Sequence, residues 1–196
     1  YNLDGDEIEK ELKTVEWDAE AAEKAGYEHF MIKEIHEQPK AVSDTLKSVV
    51  KDGAIDLSEV GLSEEEIKEI SQIYIVACGS AYHVGVAAQY VMEDLARIPV
   101  RVELASEFRY RNPILDPKGL VIIISQSGET ADSLAALRES KKQGVKTLGI
   151  VNVIGSSIAR EADNVFYTLA GPEIAVATTK AYSTQLIATY TGNSVC

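Results

Sequence analysis

The stretch that most limits the possible folds is an apolar run from Leu120 to Ile124, followed at once by Ser-Gln-Ser-Gly-Glu-Thr. A strand that is apolar on both faces must be covered on both faces, which is typical of parallel sheets. Similar runs occupy residues 73–78 and 146–152, and segments with helical spacing separate them. The pattern predicts an α/β fold, a three-layer doubly wound domain with helices on both faces of a parallel sheet.

The remaining elements follow from the same periodicities. We predict strands at 100–104 and 165–168, helices at 81–95, 131–143 and 156–161, a helical turn at 106–111 and a helix that starts near Thr178. Upstream, we predict a helix at 18–37 that ends before Pro39 and a second helix at 41–50. Ser63 and Glu66 have the spacing of a capping box, which predicts a short helix there.

These elements suggest three parts of the chain. Residues 1–17 are rich in Glu and Lys and begin with Tyr1 rather than methionine, so we interpret them as a linker left from an upstream domain. Residues 18–70 would form a helical extension, and 71–196 the sheet domain, ending soon after its last helix begins.

Composition excludes several classes of function. A net charge of −12 argues against a nucleic-acid or acidic-membrane partner, and no apolar run approaches the roughly 20 residues of a membrane span. Cys78 and Cys196 are too few for a disulfide framework, which favours a reducing cytoplasm. The three scattered histidines add no metal-ligand spacing, so we predict no metal site.

The predicted site lies where two strands end. In the flavodoxin-like strand order 2-1-3-4-5, the first and third strands are neighbours at the point where the winding reverses, and ligands bind there. Those strands end in loops 78–81 and 125–130, and each loop opens a helix whose free amides favour an anion. The hydroxyls and amides of 125–130 would form a neutral phosphate site. N-capping of the helix without any ligand is the alternative.

Other chemistries fit the sequence less well. A nucleophile elbow around Ser127 would need glycines at 125 and 129, and no histidine follows His83 to complete a triad. The Walker pattern is absent, and no GxGxxG follows the first strand. His83 could reach the site or be a structural histidine. Glu129 is better suited to complementing a helix dipole than to acting as a base.

Five stretches resemble a known family. "CGSAYH" at 78–83 and "SQSGETAD" at 125–132 resemble the sugar isomerase (SIS) domain. "YEHFMIKEIHEQP" at 27–39, "ELASEFRYR" at 103–111 and "AVATTKAYSTQ" at 175–185 narrow the resemblance to the glutamine–fructose-6-phosphate aminotransferases. That family makes glucosamine 6-phosphate from fructose 6-phosphate and glutamine without a cofactor, and its members dimerise through this region.

The resemblance implies a set of site residues. Ser125, Gln126, Ser127 and Thr130 would hold the phosphate of a hexose 6-phosphate, Gly79, Ser80 and Ala81 would lie beside phosphate and sugar, and Val176 and Thr178 would line the sugar. Some members have serine where this chain has Ala81. A backbone amide or a water would replace that hydroxyl contact.

The resemblance also implies what this chain does not contain. The family's glutaminase nucleophile is an N-terminal cysteine, and its isomerase acid–base residues belong to a second SIS half and a C-terminal tail. We therefore expect no catalytic residue here, and expect the chain to be the first SIS half, binding the sugar phosphate without converting it. The alternatives are a non-catalytic SIS module that senses a phosphosugar and a stand-alone phosphosugar isomerase.

Overall fold

A computed structural model describes residues 5–7 and 22–193. The helices are α1 (Phe30–Lys47), α2 (Glu64–Lys68), α3 (Gly79–Ala96), α4 (Ala105–Phe108), α5 (Ala131–Lys142), α6 (Ser157–Glu161) and α7 (Lys180–Asn193). The strands are β1 (Val50–Lys51), β2 (Ala54–Ile55), β3 (Gln72–Ala77), β4 (Val100–Leu104), β5 (Gly119–Ser125), β6 (Lys146–Val151) and β7 (Asn164–Tyr167). None of the helices in the described ranges is long and apolar enough to cross a bilayer.

The main sheet is parallel, with five strands in the order β4-β3-β5-β6-β7. Counted along the chain, this is the predicted order 2-1-3-4-5, and the predicted α/β sandwich is confirmed. All residues of the central strand β5 are buried. The carboxyl ends of β3 and β5 lie side by side, because Ala77 pairs with Ile124. The loops that follow these two strands therefore start as neighbours.

Each face of the sheet carries its own apolar core. On one face, Ile73 and Ile75 of β3 pack with Val84 and Met92 of α3 and with Ala188 of α7. On the other face, β3 and β5 pack against helices α4, α5 and α6 through a second set of buried side chains: Tyr74, Val76, Val121, Ile123, Phe108, Ala136, Leu137 and Ile158. The alternation of successive β3 residues between the two cores explains why the strand is apolar throughout.

Helix α3 lies unusually close to the sheet. A Cβ atom on Gly85 would lie 2.8 Å from Cγ2 of Ile75 and 2.9 Å from Cγ1 of Val102. Only glycine permits this approach, since real side chains do not come so near. The close packing fixes the position of α3, and with it the helix start that faces the site.

The break predicted between the helices 18–37 and 41–50 is wrong, as is the helix predicted over the described residues 22–29. A single helix, α1, runs through Pro39, and no α-helix is present in the described residues 22–29. Proline cannot donate to the carbonyl of Ile35, four residues earlier. The side-chain amide of Gln38 donates to that carbonyl instead, at 3.2 Å. The helix therefore continues where the proline rule predicts a break.

Val50, predicted as the last residue of the second helix, instead begins a β-hairpin. Val50–Lys51 pairs antiparallel with Ala54–Ile55 around Asp52 and Gly53, which have φ values of +52° and +82°. Asp-Gly is the preferred dipeptide where both central turn residues need positive φ. The predicted linker at 1–17 lies outside the described residues except for 5–7, as do residues 18–21 of the predicted first helix.

The capping box is confirmed. The hydroxyl of Ser63 accepts a hydrogen bond from the amide of Glu66, and the carboxylate of Glu66 accepts one from the amide of Ser63. The elements predicted downstream of residue 70 are also present, with bounds shifted by at most three residues. The last helix begins at Lys180 rather than near Thr178.

Candidate functional site

The first loop leads directly from β3 into α3. Cys78 has an extended backbone and does not cap the helix with its side chain. Gly79 has a φ of +57°, which lets the chain turn sharply before Ser80 and Ala81. The first amides of α3 therefore have no side-chain cap and are available to a ligand.

The second loop leads from β5 into α5 and is held by its own hydroxyls. Ser125 Oγ accepts a hydrogen bond from the amide of Gly128 at 3.1 Å and lies 3.0 Å from Thr130 Oγ1. Thr130 is the N-cap residue of α5, but its side chain makes no capping bond. These hydroxyls shape the loop rather than cap the helix, so capping by Thr130 does not explain the crowded polar sequence.

The same loop is docked on α6. Gly128 has a φ of +65°, and a Cβ there would lie 2.1 Å from Oγ of Ser156. The carbonyl of Gly128 also accepts from the amide of Ile158 at 3.0 Å. A backbone this close to a neighbouring helix leaves the loop little freedom.

The carboxylate of Glu129 binds the start of α6 rather than that of α5, the helix that it precedes. Its Oε1 accepts a hydrogen bond from the amide of Ser157, in the first turn of α6, at 2.7 Å. This bond from Ser157 is the main reason why the pKa of Glu129 lies below its usual value. The carboxylate is thus directed away from the loop's own helix.

Both loops face one open cavity of about 200 Å³. Its lining residues are Cys78, Ser80, Ala81, Ile124, Ser125, Gln126, Ser127, Thr130, Val176, Thr178 and Gln185. Eight of the nine predicted site residues are among them, and Gly79 is the exception, since it shapes the first loop without lining the cavity. No lining residue carries a formal charge, so the polar surface consists of hydroxyls and amides.

A third segment, 172–179, supplies the wall opposite the two loops. The carboxylate of Glu173 accepts from the hydroxyl of Thr178 at 3.0 Å, and from the amides of Thr179 at 2.9 Å and Ala181 at 3.2 Å. Glu173 thereby caps the start of α7 and fixes Thr178. Val176 is fully exposed at the mouth of the cavity.

Three lining residues were not predicted. Cys78 belongs to the predicted first loop but was not predicted to contact the ligand, and Ile124 was predicted only as part of an apolar strand. Gln185 is buried, and its side chain reaches the cavity from the second turn of α7. Thr178 precedes the start of α7, so helical spacing from it gives no signal for Gln185, and the packing of α7 against α3 brings this residue to the cavity. His83 is exposed, stacks edge-on with Tyr82 and does not line the cavity.

A larger groove lies elsewhere on the protein, and its lining is acidic rather than neutral. Its volume is about 570 Å³, and its lining includes Asp56, Glu64 and Glu66. Carboxylates repel a phosphate, so this groove does not suit an anionic ligand. Among the residues that the structure describes, no group of His, Cys, Asp and Glu could hold a metal ion.

The family model for the SIS domain matches residues 66–191. The chain belongs to the SIS domain family. The predicted resemblance is confirmed, and the matched residues include every strand of the SIS sheet and both loops at the cavity.

Relatives of this SIS chain include two glutamine–fructose-6-phosphate aminotransferases. The chain is 59% identical to that of Clostridium acetobutylicum over 97% of its own length, and 60% identical to that of Caldanaerobacter subterraneus over 95%. It spans about a third of the length of these curated relatives, 31% in each case. Among solved structures, it resembles the C-terminal domain of the aminotransferase from Francisella tularensis, with a TM-score of 0.84, 48% identity and coverage of 88% of this chain and 48% of that one.

Proposed function

We propose that this chain is the sugar-phosphate-binding SIS half of an aminotransferase that makes glucosamine 6-phosphate from fructose 6-phosphate and glutamine. The observation that carries the proposal is the pair of uncapped helix starts, α3 and α5, facing one neutral cavity. The activity after which the relatives are named supplies the substrates. Ser125, Gln126, Ser127 and Thr130 would then surround the phosphate.

The energetics suit a metabolite. A hydrogen bond to a charged group contributes roughly 1.5–3 kcal/mol, and two helix dipoles favour the anion further. Four or five such bonds offset an association cost of about 4–15 kcal/mol. The expected dissociation constant is therefore micromolar to millimolar, without any lysine or arginine at the phosphate.

We also propose that the chain binds its ligand without converting it. The lining offers one titratable side chain, the thiol of Cys78, and no carboxylate, imidazole or amine. Moving a proton between two sugar carbons needs a base matched to the working pH, and a positioned carboxylate or histidine is the usual one. We propose that such groups, and the ammonia-releasing activity, come from other parts of the parent enzyme.

Calorimetry tests the binding proposal directly. Fructose 6-phosphate and glucosamine 6-phosphate should bind a folded sample, while fructose without its phosphate should give no heat. Amide hydrogen exchange should slow at residues 125–130 when the phosphosugar is present. Absence of both heat and protection in a folded sample would refute the proposal.

The described part of the upstream segment does not support the alternative of a regulatory SIS module. Residues 22–70 contain the single helix α1, a two-stranded hairpin and the short α2, not two helices of similar length joined by a turn. The same segment also lacks a basic recognition helix, because α2 has three glutamates in its first turn. We therefore favour the aminotransferase over a DNA-binding sensor.

Two further parts of the proposal concern assembly and location. We propose a homodimer, and the exposed apolar side chains Tyr27, Met31, Ile32 and Ile35 at and before α1 are consistent with a covered surface in the assembled protein. Light scattering on the purified chain measures its oligomeric state.

We propose the cytoplasm as the location, because the thiol of Cys78 is free.

A further inference from the structure

We propose that Glu34, on the helix that precedes the SIS domain, is a positioning residue for the sugar end of the cavity. It acts through two backbone amides of segment 172–179, which carries Val176 and Thr178. This inference rests on the proposed function for the identity of the ligand. Glu34 itself lies outside the residues that the SIS family model matches, 66–191.

The geometry at Glu34 is specific. Its Oε1 accepts hydrogen bonds from the amide of Ile174 at 2.6 Å and from the amide of Ala175 at 3.1 Å. The residue is 2% exposed, and its Oε2 has no partner among the described residues. A buried carboxylate is costly unless it is hydrogen-bonded, so these two amides are what compensate the burial of its charge.

The segment has little else to hold it in place. Ile174 is 45% exposed and Val176 fully exposed, so burial of these apolar side chains contributes little. Its two carboxylate anchors are Glu34 at 174–175 and Glu173 at 178–181. Val176 lies between the two anchors. Segments with few buried contacts open readily, so loss of one anchor should free the residues beside it.

Helix α1 supports this role along its length, since it packs against α7. Thr45 Oγ1 accepts from the amide of Leu169 at 3.1 Å, just upstream of the segment. Lys180 Nζ donates to Glu37 at 2.7 Å, and Ser183 Oγ donates to Gln38 at 2.6 Å. The upstream helix thus contacts the chain on both sides of segment 172–179, and Glu34 contacts the segment itself.

The two ends of the cavity therefore depend on different parts of the chain. The phosphate end is built by loops 78–81 and 125–130, which the SIS domain holds by itself. The sugar end is built by Val176 and Thr178, on a segment whose residues 174–175 are held by Glu34 of α1. Removal of the Glu34 carboxylate should weaken recognition of the sugar and leave recognition of the phosphate intact.

The test compares Glu34→Ala, Glu34→Gln and the unaltered chain in calorimetry with inorganic phosphate and with fructose 6-phosphate, and in amide hydrogen exchange. In Glu34→Ala, we expect exchange at 174–178 to accelerate at least tenfold, and the dissociation constant for fructose 6-phosphate to rise about tenfold, while that for phosphate changes less than twofold. Glu34→Gln keeps an acceptor for both amides and should restore both values.

Glu37→Gln is the matched control. It removes the charge partner of Lys180 between the same two helices, so it should lower stability without changing the ratio of the two dissociation constants. Unaltered exchange at 174–178 in Glu34→Ala would overturn the inference, whatever the ligands do. Equal weakening of both ligands would overturn it as well. Failure of the unaltered chain to bind fructose 6-phosphate would instead refute the proposed function, and the exchange result would still decide the role of Glu34.

Discussion

The backbone amide of Asn152, just after β6, donates to the carbonyl of Gln126 in the proposed phosphate loop at 3.0 Å. The side chain of Asn152 is buried and faces the other way. Its Nδ2 donates to the carbonyl of Gly171 at 2.8 Å, and its Oδ1 accepts from the amide of Ala170 at 3.1 Å. Asn152 thereby joins the second loop of the cavity to residues 170–171, which lead into segment 172–179.

Gly128→Ala should weaken both stability and phosphate binding. Its φ of +65° already disfavours a side chain, and the added Cβ would overlap Ser156. We expect a loss of more than about 2 kcal/mol in the free energy of unfolding, measured by urea titration.

Gly144→Ala is the control for backbone strain alone. Gly144 has a φ of +75°, but nothing lies within 4 Å of the Cβ it would gain. Its cost should be about 1 kcal/mol, with unchanged ligand affinity. Equal costs for the two alanines would contradict the proposed contact with Ser156.

Thr130→Val should separate binding from stability. The Thr130 hydroxyl makes no capping bond to α5, so its loss should cost less than about 1 kcal/mol in unfolding free energy. Since that hydroxyl lines the cavity beside Ser125, calorimetry should show an affinity for fructose 6-phosphate lower by about tenfold.

Ser63→Ala should show the reverse behaviour. Ser63 does cap its helix, so about 1 kcal/mol of stability should be lost while the affinity stays constant. A Thr130→Val variant that unfolds as easily as Ser63→Ala but binds normally would show that Thr130 is structural.

Stability should fall in acid partly through Glu66. Its carboxylate accepts hydrogen bonds from the ammonium of Lys146 and from the amide of Ser63, which lower its pKa from 4.5 to about 2. A carboxyl with a lower pKa in the folded state binds fewer protons when folded. Its contribution is therefore complete above pH 4.5 and is lost as the pH falls towards 2.

The measurement is the urea midpoint between pH 5.5 and 2.5. Glu66→Gln should start lower and decline less steeply than the unaltered chain, because it has no proton to take up at this position. Glu65→Gln, an exposed neighbour on the same helix, should keep the original slope. Parallel slopes for all three chains would rule out this source of acid sensitivity.

Gln38 and Pro39 should be energetically coupled. Gln38→Ala should cost about 1 kcal/mol, because it leaves the Ile35 carbonyl without its donor and removes the acceptor for Ser183. In a Pro39→Ala background, the new amide at 39 can bond Ile35, so the same substitution should cost less. A double-mutant cycle of urea unfolding measures the difference, and strict additivity would contradict the substitution of one donor for the other.

Most of the SIS sheet could be predicted because each strand and helix is indicated by the residues of its own segment. Strands that are apolar throughout, with polar turns and helical spacing between them, determine the layers and the winding. The two loops of the cavity followed from this, since their position at strand ends depends only on strand order. The capping box of Ser63 and Glu66 was equally local.

The failures came from contacts between distant parts of the chain. Nothing near Pro39 indicates that α7 will provide Ser183 as a partner for Gln38 and stabilise a continuous helix. Likewise, Glu34 meets Ile174 across 140 residues, and Gln185 reaches the cavity only because α7 packs beside α3. The β1–β2 hairpin is different, because its Asp-Gly signal was present but its strands are too short to show alternation.

The cavity is lined by hydroxyls and amides, and its lining contains no carboxylate, imidazole or amine. The pH dependence of binding should then come from the ligand. A phosphate monoester gains its second negative charge near pH 6, about one unit below neutrality. The sugar phosphate should therefore bind more tightly as the pH rises through about 6, because the ligand gains its second negative charge there.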